Sequence, residues 1–137
     1  MAIERVVLRA WGDRFVRPSG DQGDGRLAAI SPGIGPWEVF RLEWPNEDTV
    51  RIRAHTGHLV HEAPDQNGDS CLWVHMAVDD PSTFFGLIWH GDDRVTFKAH
   101  NGQYVCAEPP GADGLLTANR GAIGEWEKFL LEEPPQL

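Results

Sequence analysis

Five of the six histidines, His55, His58, His61, His75 and His90, fall between residues 55 and 90. Imidazole nitrogens bind metals and titrate near neutral pH. His55 and His58 flank a tight turn and are expected to face each other across a hairpin. A metal centre needs converging ligands with supporting partners, and two turn histidines do not supply them. Just downstream, DQNGDS at 65–70 sets Asp65, Asn67 and Asp69 at alternating positions, as a calcium loop begins. The sixth position is Ser70, where such a loop needs Gly, and the twelfth is Met76, where it needs a bidentate Glu. The run reads as an ordinary loop. No metal and no cofactor is expected.

Aromatic residues are the second source of chemistry. In the run CLWVHM, Leu72 and Val74 share one face and Trp73 and His75 the other. With the apolar pair inward, Trp73 and His75 point out. An outward indole beside an imidazole suits stacking on a sugar ring or a partner side chain. Trp11 occupies a turn position held elsewhere by His55 and His100, and is a further candidate. The ligand-binding candidates are therefore Trp73, His75, Trp11 and His58. Trp44 and Trp89 have the inward parity of their strands and are expected in the core or as barrel-end plugs. No Gly-x-Ser-x-Gly, His-Glu-x-x-His or phosphate loop is present, so no catalytic residue is assigned.

The elements that position these residues repeat. GPWEVFRLE at 35–43 returns as GEWEKFLLE at 124–132, identical at six of nine positions. Between them, DDPSTFFGL at 79–87 keeps only the apolar positions Phe85 and Leu87. VVLRAWGDRFV at 6–16, VRIRAHTGHLV at 50–60 and VTFKAHNGQYV at 95–105 align without a gap. Leu27, Leu72 and Leu116 fall in the same phase. The units are about 5–43, 49–88 and 94–132, with a short tail at 133–137 and one domain over 1–137. Each opens on an alternating strand, as in Val6, Leu8 and Ala10. A turn follows, in which Asp13 matches Gly57 and Gly102, and then a second strand. A loop rich in Pro, Gly and Asp leads to a third strand. The fourth carries Phe40, Phe85 or Phe129. A four-stranded unit cannot bury its apolar face alone, so three must close on one another. The expected fold is all-β, with about twelve strands in three pseudo-symmetric repeats of about 44 residues.

These two motifs, recurring in phase, resemble the fascin-like, or actin-cross-linking-like, β-trefoil. The resemblance covers about residues 4–132. It implies a six-stranded barrel capped by three hairpins, and a fold used for actin bundling in arrays and for ligand or glycan binding elsewhere. The Gln-x-Trp signature of ricin-type trefoil lectins is absent. Within the motif, Phe40 and Phe129 are expected to fill the barrel, Trp37 and Trp126 to cap it, and Glu38 and Glu127 to accept backbone N–H bonds.

Composition narrows the partners. The net charge of −9 argues against nucleic acid and anionic lipid, which select clustered Lys and Arg. No apolar run approaches the roughly 18–20 residues of a membrane helix. No signal peptide is visible, so a cytoplasmic monomer is expected, unless the chain is a piece of a larger protein. Cys71 and Cys106 are read as reduced thiols, with a single bridge as the alternative. The first functional reading is a non-catalytic module for a glycan or other small polar ligand. An actin-binding domain is the second, opposed by long-range repulsion between acidic partners. The third is an enzyme or inhibitor using loops 17–26, 62–71 and 77–83.

Overall fold

The computed structural model describes residues 3–20, 25–76, 80–108 and 114–134, the side chains of Ile3, Glu4, His75 and Met76 excepted. Unit one supplies β1 (Ile3–Arg9), β2 (Phe15–Pro18), β3 (Gly25–Ser31) and β4 (Phe40–Glu43). Unit two supplies β5 (Thr49–Arg53), β6 (Leu59–Pro64), β7 (Ser70–Met76) and β8 (Phe84–Gly91). Unit three supplies β9 (Arg94–Lys98), β10 (Tyr104–Ala107), β11 (Leu116–Arg120) and β12 (Phe129–Glu132). Among the described residues no helix is long and apolar enough to cross a membrane.

The first and last strands of each unit form a closed antiparallel ring. β1 pairs with β4, β4 with β5, β5 with β8, β8 with β9, β9 with β12, and β12 returns to β1. The hairpins β2–β3, β6–β7 and β10–β11 cap one end. They join through β3–β7, β7–β11 and a bridge from Ala28 to Leu115. A six-stranded barrel under a three-hairpin cap is a β-trefoil. Closure leaves the barrel no free edge.

The inward residues are the ones the alternation selects. Phe40, Phe85 and Phe129 are fully buried, with Leu27, Leu72 and Leu116 and with Val16, Val60 and Val105. Each buried Phe contributes about 1.5–3 kcal/mol of apolar transfer. Bulges before Val16, Val60 and Val105 bend the chain from barrel to cap. At the first turns, Asp13, Gly57 and Gly102 have φ of 63°, 92° and 85°. Their N–H groups donate to Ala10, Ala54 and Ala99 carbonyls at 2.9–3.0 Å. Asp13 takes the left-handed conformation that glycine takes in the other two units.

Parity misjudges several positions. Trp44 packs against the core, but Trp89, expected inside, is 54% exposed. It lies past Leu87, the last buried residue of β8, on the exposed end of the strand. Val7 and Thr96 have outward parity yet are fully buried. Val7 packs with Phe15, Val39 and Ile34, and Thr96 donates to the Glu127 carbonyl at 2.8 Å. The turn before the fourth strand folds over that outer face. The expected loop at 62–71 shrinks to residues 65–69, because β6 runs to Pro64 and β7 starts at Ser70.

Candidate functional site

The Trp-Glu-x-Phe motif folds as a single 3₁₀ turn, over Pro36–Glu38 in unit one and Glu125–Glu127 in unit three. Glu38 Oε1 accepts the Gly35 N–H at 2.6 Å, and Glu127 Oε1 accepts that of Gly124 at 2.5 Å. Both carboxylates are buried. They satisfy backbone donors that would otherwise be orphaned. Unit two solves the same problem differently: Asp80 Oδ1 accepts the Ser82 N–H at 3.0 Å, and Thr83 donates to the Asp80 carbonyl. The bonds from Ser82 hold the Asp80 carboxyl below its usual range.

This turn lies across the first hairpin turn of the next unit, so the motif tryptophans face seams between units, outside the barrel. At the seam of units one and two, Trp37 packs edge-on against His55, with centroids 5.3 Å apart. The described ring contact of His55 is thus with Trp37, not His58. At the seam of units three and one, Trp126 stacks on Trp11, with centroids 5.3 Å apart and planes 13° from parallel. Trp11 is 40% and Trp126 36% exposed. The Trp11 Nε1–H donates to the Ala107 carbonyl at 3.1 Å, which fixes the indole.

Trp11 lines two hollows. One hollow, of about 110 Å³, is lined by Arg9, Asp13, Arg94, Glu125 and Lys128. In the second, Trp11, Arg14, Ala29 and Glu108 share a small recess. Arg14 and Ala29 carry that recess into a cleft of about 610 Å³ bordered by Ile30 and Leu115. A rigid aromatic face flanked by hydrogen-bonding groups of both signs can stack on a ring while bonding its hydroxyls.

The other sequence candidates lie in unit two. Trp73 is half-buried, not exposed. Its Nε1–H donates to the Ala63 carbonyl at 3.0 Å, and the Arg26 guanidinium lies 5.6 Å over its ring. Arg26 is held in turn by Asp65 at 3.7 Å and by Cys71 Sγ at 2.7 Å. The equivalent positions, Ala28 and Thr117, are buried as well. Outward from its own strand, this position faces the neighbouring unit's cap. The His75 side chain lies outside the described residues. His58 is exposed at its turn. Asp65 accepts the Asn67 and Asp69 N–H groups at 2.8 and 3.0 Å, which is turn chemistry. No group of three or more ligating side chains converges among the described residues. Parts of loops 17–26 and 77–83 lie outside the described residues.

Both cysteines are free and buried. Burial pushes Cys71 up to about 11 and Cys106 up to about 12. Sequence reasoning weighed Trp37 and Trp126 as ligand platforms, favoured a capping role, and did not pair Trp126 with Trp11. The available signal was that the two indole positions belong to facing turns of adjacent units.

Fold and ledge together define a β-trefoil with an exposed aromatic pair at one seam. A model of the fascin domain matches residues 12–131, and the chain belongs to that family. The fold is similar to a designed three-fold symmetric protein, ThreeFoil, at TM-score 0.81 and 15% identity, over 95% of this chain and 99% of that one. It is also similar to part of a mosquitocidal holotoxin, at TM-score 0.80 and 10% identity, over 98% of this chain and 18% of the toxin. None of the curated proteins compared with it matches.

Proposed function

We propose that this chain is a non-catalytic recognition module of three pseudo-symmetric repeats, binding a glycan or other small polar ligand on the Trp11–Trp126 ledge. The observation that carries the reading is the parallel indole pair left exposed at one seam only. Apolar surface of this kind has a cost in water unless a ligand covers it. In unit two the same turn carries Ser82 in place of tryptophan, and the facing residue is His100.

The ligand ring stacks on Trp11, and its hydroxyls bond Arg94, Glu125 or Lys128 in one hollow and Arg14 or Glu108 in the other. Tryptophan fluorescence and calorimetry across common mono- and disaccharides test this directly. Saturable binding that disappears in Trp126→Ser and Trp11→His is the expected result. Absence of heat and of any spectral change with every sugar would sink it. Trp73→Ala and His58→Ala, measured in the same titrations, decide whether unit two also contributes.

A further inference from the structure

The seam of units one and two carries an unusual row of charge. In the β1–β4 register Arg5 stands opposite Arg41. In the β4–β5 register Arg41 stands opposite Arg53. Directly opposed residues share one face of a sheet, so three arginines lie side by side across three strands. With His55 they line a pocket of about 350 Å³.

The two other seams show that the fold does not require this row. The equivalent trio between units two and three is Thr49, Gly86 and Lys98. Between units three and one it is Arg94, Leu130 and Arg9. There Arg94 has Glu125 at 3.8 Å and Arg9 has Glu132 at 3.1 Å. In the first seam the place of Glu125 is taken by Pro36, and the place of Leu130 by Arg41. One acid is lost and one cation added at the same spot.

Only Arg53 of the trio is compensated. Its Nε donates to Glu43 Oε2 at 2.7 Å, and a terminal nitrogen donates to Glu43 Oε1 at 3.1 Å. Its other terminal nitrogen donates to the Gly57 carbonyl at 2.7 Å, so the guanidinium is fixed. Arg5 and Arg41 are exposed and make no ion pair among the described residues. Like charges directly opposed across strands are destabilising. In a chain of net charge −9, such a pair is an isolated positive field.

We propose that this pocket binds a small oxyanion ester, a sulfate or phosphate monoester, held by the Arg5 and Arg41 guanidinium groups with Arg53 as a fixed charge beside them. Arginine forks match tetrahedral oxyanions bidentately. The pocket has the size of a small-ligand site. The overall negative charge repels long polyanions while the pocket focuses field on a compact one. No lining residue is shared with the tryptophan ledge, so this site stands or falls apart from it.

The test is an amide chemical-shift titration of the ¹⁵N-labelled chain with sodium sulfate, sodium phosphate, galactose 6-sulfate and galactose 6-phosphate. Sodium chloride holds ionic strength constant. Saturable shifts confined to the neighbourhood of Arg5, Arg41 and Arg53 are expected with at least one ester, and that ester names the class. Arg41→Leu places there the residue found at 130, and Arg5→Thr the residue found at 49, so both variants fit the fold. Each is expected to weaken binding about ten-fold, as loss of a charge-assisted hydrogen bond does. Without anion, Arg41→Leu melts no lower than the parent, because it relieves repulsion. Shifts equal to those with chloride alone, or ester binding undiminished in Arg41→Leu, would overturn the proposal.

Discussion

Glu43 holds two arginines at the rim of the barrel. Its Oε1 lies 3.0 Å from Arg51 and its Oε2 2.7 Å from Arg53. The bond to Arg53 is the main reason its carboxyl sits below the ordinary 4.5. A depressed carboxylate stabilises the fold above its unfolded value, and that stability is lost as pH falls through the folded value. Unfolding free energy is therefore expected to fall once the pH drops below about 4.5. Glu43→Gln should lower stability at pH 7 by about 2 kcal/mol and flatten that acid limb, read by urea unfolding against pH. The thiols give a second prediction. With Cys71 raised to about 11 and Cys106 to about 12, both remain protonated near neutrality. Since the thiolate is the reactive form, iodoacetamide at pH 8 should leave the native chain unlabelled and modify both cysteines in urea. Rapid native labelling at either position would contradict their burial.

At the scale of elements, the Trp-Glu-x-Phe turn divides into two roles. Its Glu closes the turn and its Trp faces the next unit. Glu38→Ala or Glu127→Ala leaves a backbone donor without its partner and should cost about 1–3 kcal/mol. Trp126→Ser should cost less, because the indole is more than a third exposed. Equal losses for the two would mean that the ledge is structural. The first hairpin turns offer a comparison within the chain. Gly102→Ala forces a side chain into the left-handed region and should cost about 1–2 kcal/mol, whereas Asp13→Gly should be neutral or stabilising. Chemical unfolding of both reads the difference. The turn positions were legible because Asp13, Gly57 and Gly102 fall in phase. The exposure of Trp73 and Trp89 was not, because parity gives a direction relative to one strand and nothing about what lies beyond it.

For the whole molecule, the closed ring makes the units interdependent. Phe40, Phe85 and Phe129 meet in one core, so each Phe→Ala change should cost a similar amount, about 3–5 kcal/mol. Removing residues 124–137 deletes β12, the strand that pairs with both β1 and β9. That truncation should abolish cooperative thermal unfolding, as seen by circular dichroism. A truncated chain that still melted cooperatively would show that closure is not what holds the barrel. At this scale pseudo-symmetry also shows where the repeats diverge: three equivalent seams carry Trp37 with His55, Ser82 with His100, and Trp126 with Trp11.

The sequence by itself determined the strand count, the repeat phase, the core residues that recur in all three units and the family. Those follow from local alternation, turn chemistry and spacing, which are properties of neighbours along the chain. Tertiary structure decided which outward residues meet. Trp11 and Trp126 are 115 positions apart, and only closure of unit three onto unit one stacks them. Arg5, Arg41 and Arg53 look like scattered cations until the barrel register sets them on adjacent strands. Burial of the outward Val7 and Thr96, and the partial burial of Trp73, follow from what folds over them, not from their own strand.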